Sequence, residues 1–175
     1  MDPRVSVQHE DFSVDDVYRQ IRDELGATVG AIASFVGLVR DHNMHGQTHA
    51  VSDGPVRDEA TSPEPTVATL TLEHYPGMTE PSIGRILDEA ENRWPLLATR
   101  VIHRVGELAP TDQIVLVMVA SAHRDAAFAG AEFVMDYLKT DAVFWKKERN
   151  DQGQHWIQST RADLQRRKDW DKTAG

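Results

Sequence analysis

The run Gln113-Ile114-Val115-Leu116-Val117-Met118-Val119-Ala120-Ser121 decides the fold class of this chain. It is apolar through most of its length and rich in β-branched residues. That suits a strand buried on both faces, so it belongs centrally in a sheet. The period then changes. From about residue 124 to 139, Ala127, Ala131, Val134, Met135 and Leu138 recur at helical spacing and define an inward face. Upstream, residues 99–105 (TRVIHRV) read as a second strand and residues 66–75 (TVATLTLEHY) alternate as a third. Residues 30–40 (GAIASFVGLVR) have the length and β-branched content of a further buried strand.

Two more helices frame these strands. Ser13 reads as an N-cap, Val14, Val17, Ile21 and Leu25 share one face, and Gly26 is the stop. Thr79 reads as the cap of the second, with Pro81 in its first turn. Ile83, Ile86, Leu87, Ala90 and Trp94 form the apolar stripe, and Pro95 ends it. Residues 143–148 and 155–159 bracket Asn150-Asp151-Gln152-Gly153 as a β-hairpin, and the charged residues 160–175 suit a loose helix. Residues 41–66 carry Pro, Gly, Asp and His without periodicity and read as a long loop, mobile from Ser52 to Pro65. There is no internal repeat. Strands and helices mix without regular βαβ alternation, which predicts an α+β fold.

With 175 residues, 40% hydrophobic and 27% charged, the chain reads as one globular domain with a core of useful size. It has no cysteine, so disulfides, thiolate metal sites and a cysteine nucleophile are excluded. No apolar run reaches membrane-spanning length, and the start, Met1-Asp2-Pro3-Arg4, lacks an apolar signal core. A cytoplasmic protein is expected. The formal net charge of -9 argues against a broad nucleic-acid-binding face but permits one small anion pocket.

Basic residues do gather locally. His123 and Arg124 stand where the central strand meets a helix N-terminus, whose N–H groups and dipole suit an anion; the plainer reading is a solvated helix start. Lys139 ends that helix, where any cation complements the dipole. Lys146 and Lys147 are neighbours on a strand, so alternation turns them to opposite faces. Arg40 at a strand end either grips phosphate with its planar fork or marks where the strand meets water. His42, His45 and His49 have mixed spacing in a loop and make a poor metal set; no metal is expected. Glu73-His74-Tyr75 reads as ordinary strand-edge polarity rather than a catalytic pair.

Seven segments in order carry a specific resemblance. They are Gly30-Ala31 with Phe35-Val36-Gly37-Leu38-Val39-Arg40; Leu72-Glu73-His74-Tyr75-Pro76-Gly77-Met78; Asn92-Arg93-Trp94-Pro95; Ile102-His103-Arg104-Val105-Gly106-Glu107-Leu108; Ser121-Ala122-His123-Arg124 with Ala127-Phe128; Asp136-Tyr137-Leu138-Lys139; and Phe144-Trp145-Lys146-Lys147-Glu148. From about Phe12 to Trp156 the chain resembles the large, catalytic subunit of molybdopterin synthase.

The resemblance implies an α/β hammerhead core with an additional small antiparallel β-sheet. It spans residues 1–160, with a long loop insertion at about 44–66 and a charged tail at 161–175. It implies a homodimer within a heterotetramer. A small ubiquitin-like sulfur-carrier subunit, ending in a Gly-Gly thiocarboxylate, would deliver sulfur to cyclic pyranopterin monophosphate, without a cofactor and without nucleic acid or membrane as partner. Carried over by position, the substrate pocket falls on Leu38, Val39, Arg40, His123, Arg124, Lys139, Lys146, Lys147 and Glu148. Lys139 and Lys146 match the catalytic lysines, and Arg40, His123 and Arg124 match substrate-anion ligands.

The chain departs from the family pattern in four places. Val143 replaces a proline, Thr111 stands at a turn position often occupied by Gly and reads as a minor change, and the loop at 44–66 is longer. The basic residue that reaches a neighbouring subunit's pocket from near Thr160 is here Arg161, one place later. The competing readings are a non-catalytic phosphate- or pterin-binding module that keeps the partner groove, and a generic phosphate-binding domain. Retention of both lysines favours the enzyme over the first, and the ordered segments disfavour the second.

Overall fold

The structure is a computed structural model that describes residues 2–40, 69–142, 144–150, 153–157 and 161–172. The long loop with its three histidines lies outside them. In chain order the elements are β1 (Val5–Gln8), α1 (Val14–Leu25), β2 (Ala31–Leu38), β3 (Thr69–His74), α2 (Thr79–Arg93), β4 (Leu96–Arg104), β5 (Gly106–Leu108), β6 (Gln113–Ser121), α3 (Arg124–Thr140), β7 (Phe144–Asn150), β8 (Gly153–Ile157) and α4 (Arg161–Lys172). They form two four-stranded sheets, ordered β1-β4-β6-β2 and β5-β3-β7-β8. The first is mixed, with only the β1–β4 pair parallel; the second is antiparallel throughout. The α+β expectation and the added small antiparallel sheet both hold.

The apolar run Gln113–Ser121 is β6, flanked by β4 and β2. Its alternation explains why no polar residue interrupts it. Val115, Val117 and Val119 face α2 and α3, packing with Ile83, Leu87, Phe133 and Val134. Leu116, Met118 and Ala120 face the opposite side, against Phe12, Val17 and Ile21 of the α1 layer. With helices on both sides, period-two patterning carries no polar half.

The helix signals hold in α1, where the Ser13 hydroxyl accepts the Asp16 N–H and Gly26 closes the helix. At α2 the expectation was one residue off. Met78 occupies the cap without a side-chain bond, and the Thr79 hydroxyl accepts the Tyr75 N–H instead. Strands β1 and β5 carried too few residues to signal themselves, and β4 begins at Leu96 rather than Thr99. The expectation of burial for β2 is corrected. It is an edge strand, with Phe35 42% and Leu38 51% exposed. Apolar composition reports the need for cover and does not say that this chain supplies it.

The charged C-terminal segment is helical but not loose. Trp170 of α4 sits edge-on against Trp94 and Phe133, its indole N–H donating to the buried carboxylate of Asp136 at 2.9 Å. Trp170 is the aromatic anchor of an otherwise highly charged helix, beside the Arg167–Asp141 and Asp163–Lys139 ion pairs.

The second sheet attaches where β4 ends and β6 begins. The chain leaves β4 through Val105 and Gly106, whose φ of 91° only glycine adopts without strain, and enters β5. It returns to β6 through a turn at Ala109-Pro110-Thr111-Asp112, closed by the Asp112 N–H on the Ala109 carbonyl at 3.0 Å. Val39, Leu70, Leu72 and Leu108 then form a separate apolar cluster that joins the two sheets.

Candidate functional site

The basic residues fall into two groups at opposite ends of β6. Antiparallel pairing sets Leu38 against Gln113 and Ala31 against Ser121. Whatever follows Leu38 lies at the beginning of β6, and whatever follows Ser121 lies at its end. Nine residues of strand separate the ends by roughly 27 Å.

The first group is built around Val39. Its N–H donates to the Asp112 carbonyl at 2.9 Å and its carbonyl accepts the Thr111 N–H at 2.8 Å. Its side chain is buried among Leu70, Leu72 and Leu108. This clamp fixes the backbone from which the exposed Arg40 departs. On the facing strand pair, Lys146 stands across the ladder from Leu72 and Glu148 from Leu70, the two buried residues of β3, whereas Lys147 stands opposite Thr71. Leu38, Val39, Arg40 and the β7 residues 146–148 therefore share one end of the molecule.

Lys139 joins that end by helix geometry. Helix α3 starts beyond Ser121 and runs 17 residues, about 25 Å, back along the sheet. Just after it, Phe144 stacks on His103 with ring centroids 3.8 Å apart and planes 16° off parallel, and His103 pairs with Val115 at the beginning of β6. The Lys139 side chain is 44% exposed, with its Nζ 3.4 Å from Asp163 Oδ1.

The second group is His123 and Arg124. The Ser121 hydroxyl donates to the Pro95 carbonyl at 2.9 Å, and the Gly30 N–H donates to the Ser121 carbonyl at 3.1 Å. A side chain at Gly30 would overlap the Ala122 carbonyl, so this junction needs a glycine there. His123 takes the N-cap position of α3 but makes no side-chain capping bond, and both it and Arg124 project into solvent, Arg124 being 82% exposed beside Asp125. Two exposed cationic or polar side chains at the positive end of a 17-residue helix form an anion-receptive corner.

Sequence reasoning passed over two neighbours of the first group. His103 is buried, stacked on Phe144, with its Nδ1 2.8 Å from the Arg104 carbonyl oxygen. Its only signal was a histidine in an apolar strand. Asp163 meets Lys139 from α4, and the spacing of Asp163, Arg167 and Trp170 along one helical face could have revealed it. Glu73 and His74 line a shallow depression of about 290 Å³ with His9 and Gly106, and its lining includes Thr71 and Leu72, the β3 partners of Lys147 and Lys146. Among the described residues no cluster of His, Asp and Glu could hold a metal ion, and no helix is long and apolar enough to cross a membrane.

Comparison with known proteins adds an independent line. The family model described as MoaE protein matches residues 7–141. The chain is similar to the molybdopterin synthase catalytic subunit of Vibrio cholerae, 48% identical over 98% of this chain and all of the relative. It is 44% identical to the protein of the same description from Escherichia coli, over 95% of this chain and 97% of that one. Among solved structures, a molybdopterin biosynthesis MoaE protein from Burkholderia ambifaria superposes with a TM-score of 0.70 at 40% identity, covering 93% of this chain and 95% of that one.

Proposed function

The chain belongs to the MoaE family, and on that premise we propose that it is the catalytic subunit of a molybdopterin synthase. It takes sulfur from the C-terminal thiocarboxylate of a small ubiquitin-like partner and inserts it into cyclic pyranopterin monophosphate, in the cytoplasm. The observation that carries this reading is the match to a catalytic subunit along essentially the whole of both chains.

In this reading Lys139 stabilises charge that develops at the thiocarboxylate carbonyl as sulfur leaves. Lys146 assists proton transfer or charge stabilisation at the pterin. Arg40, His123 and Arg124 hold the substrate's phosphate, with Leu38, Val39, Lys147 and Glu148 shaping the pocket. The β7 register favours Lys146 over Lys147, because Lys146 stands opposite buried Leu72 at the joint between the sheets.

The two groups at opposite ends of β6 bear on assembly. No pterin-sized ligand spans that length, so His123 and Arg124 serve a pocket other than the one formed by Arg40, Lys139 and Lys146 of their own chain. A two-fold homodimer resolves this. The edge strand β2 carries no charge and no proline over Ala31–Leu38, and such an edge calls for cover. Antiparallel contact between two β2 edges brings the Leu38 end of one chain to the Ala31 end of the other. Each pocket then combines one chain's Arg40, Lys139 and Lys146 with the other chain's His123 and Arg124.

The test is reconstitution. The purified chain, a thiocarboxylated small subunit and cyclic pyranopterin monophosphate are mixed, and dithiolene product is followed by mass spectrometry. One dithiolene product for every two thiocarboxylates consumed supports the enzyme. Partner binding without product would favour the binding-module reading instead.

A further inference from the structure

Helix α4 meets α3 through a set of polar contacts concentrated on the end of α3 that carries Lys139. The Arg167 guanidinium donates to the Asp141 carboxylate, with Nη2 3.2 Å from Oδ2, and lies 4.9 Å over the Tyr137 ring. Arg93 donates to the Trp170 carbonyl at 3.1 Å, and Trp170 in turn donates to Asp136. Asp163, Arg167 and Trp170 are spaced four and three residues apart, so they share the docking face of α4. The first of them reaches Lys139. Asp163 is the more enclosed partner, its side chain 17% exposed against 44% for Lys139.

From this geometry we propose that Asp163 is a positioning residue for Lys139, delivered by the docked C-terminal helix. The proposal rests on the catalytic reading of Lys139 given above. A lysine side chain has four rotatable bonds and gives up rotamer freedom when held in one geometry. Lys139 sits in the last turn of its helix, where the backbone fixes only the root of the side chain. Asp163 holds the far end. Because it comes from a helix anchored by Trp170 rather than from a loop, the carboxylate itself is held in place. Asp163 draws the ammonium toward α4 and restricts where it meets an incoming thiocarboxylate carbonyl. Through Asp163 the C-terminal helix is thereby part of the reaction's machinery.

The experiment measures single-turnover product formation, at saturating and at half-saturating thiocarboxylated small subunit, for Asp163→Ala, Asp163→Asn, Asp163→Glu and Lys139→Ala, with thermal unfolding of each. Removing half of a partly exposed ion pair should lower the saturated rate of Asp163→Ala about two- to five-fold. The half-saturating partner concentration and the unfolding midpoint should stay at wild-type values. Asp163→Asn should fall with Asp163→Ala, and Asp163→Glu should recover most of the rate. A wild-type rate in Asp163→Ala beside a crippled Lys139→Ala overturns the positioning role and leaves the catalytic reading standing. A wild-type rate in Lys139→Ala removes the catalytic reading itself. A loss confined to partner affinity, or one that Asp163→Glu fails to recover alongside a lowered midpoint, also overturns the proposal, as does a faster Asp163→Ala.

Discussion

Thr111 donates its backbone N–H to the Val39 carbonyl at 2.8 Å while holding a φ of 76°, the one left-handed non-glycine among the described residues. The geometry is that of a type II turn, with Pro110 at the second position and the left-handed residue at the third, where glycine is the natural occupant. The sequence reading took the threonine here as a minor change. It is a β-branched residue in a conformation that costs an L-residue about 1–2 kcal/mol. The cost is held by the two-way clamp on Val39, which sets the exit of Arg40.

Thr111→Gly should therefore stabilise the protein. Relief of the strain is partly offset by the extra freedom of glycine in the unfolded chain, leaving a net gain of about 0.5–1 kcal/mol. Thr111→Ala should gain less, since it still carries a Cβ. Denaturant midpoints of the three proteins decide it, and a less stable Thr111→Gly would show that the threonine makes compensating contacts.

The register of β7 predicts an asymmetry between adjacent lysines. Lys146→Ala should abolish product formation in single turnover while the small subunit still binds. Lys147→Ala, opposite Thr71 rather than Leu72, should be milder. Equal damage from both, with folding intact by circular dichroism, would contradict the assignment of Lys146 to the pocket.

Arg40→Ala and Arg124→Ala should each weaken binding of the pterin phosphate by about 1.5–3 kcal/mol, the worth of a charge-assisted hydrogen bond, with little effect on folding, because both side chains are exposed. If each pocket draws on two chains, the two variants complement one another. In a mixed dimer one pocket keeps both arginines and the other loses both. Random mixing of equal amounts should restore about a quarter of wild-type activity. Activity no higher than the average of the separate variants would rule out a shared pocket.

Acid should expose the contribution of the N-terminal ion cluster. Arg4 donates to Asp2, Asp88 and Glu91, and its guanidinium beside Asp2 holds that carboxyl below the ordinary value of 3.8. A carboxyl with a depressed folded-state pKa stabilises the protein above its unfolded value, and that stabilisation is lost as pH falls through the folded value. The gap in unfolding midpoint between wild type and Asp2→Asn should be steady above about pH 5 and close progressively in more acid solution. A gap that persists undiminished at the acid end would mean that the carboxylate's charge is not what stabilises.

The sequence alone determined the elements whose signals are local. The β6 run, the α1 cap and stripe, the apolar face of α3 and the hairpin around residues 150–153 were legible because periodicity and capping act within a few residues. The ordered segments were likewise enough to bring the basic residues forward as a set. Only the tertiary structure decided how that set is divided. Sequence order places Arg40 far from His123 and gives no sense of which strand ends meet; the antiparallel β2–β6 register puts them at opposite ends. It also decided that β2 is an edge, that Thr111 is left-handed, and that a highly charged C-terminal helix returns to lay Asp163 beside Lys139. Each of these depends on contacts between residues distant along the chain. Such contacts are settled by which surfaces pack, and composition or spacing within a segment carries no record of the surface it will meet.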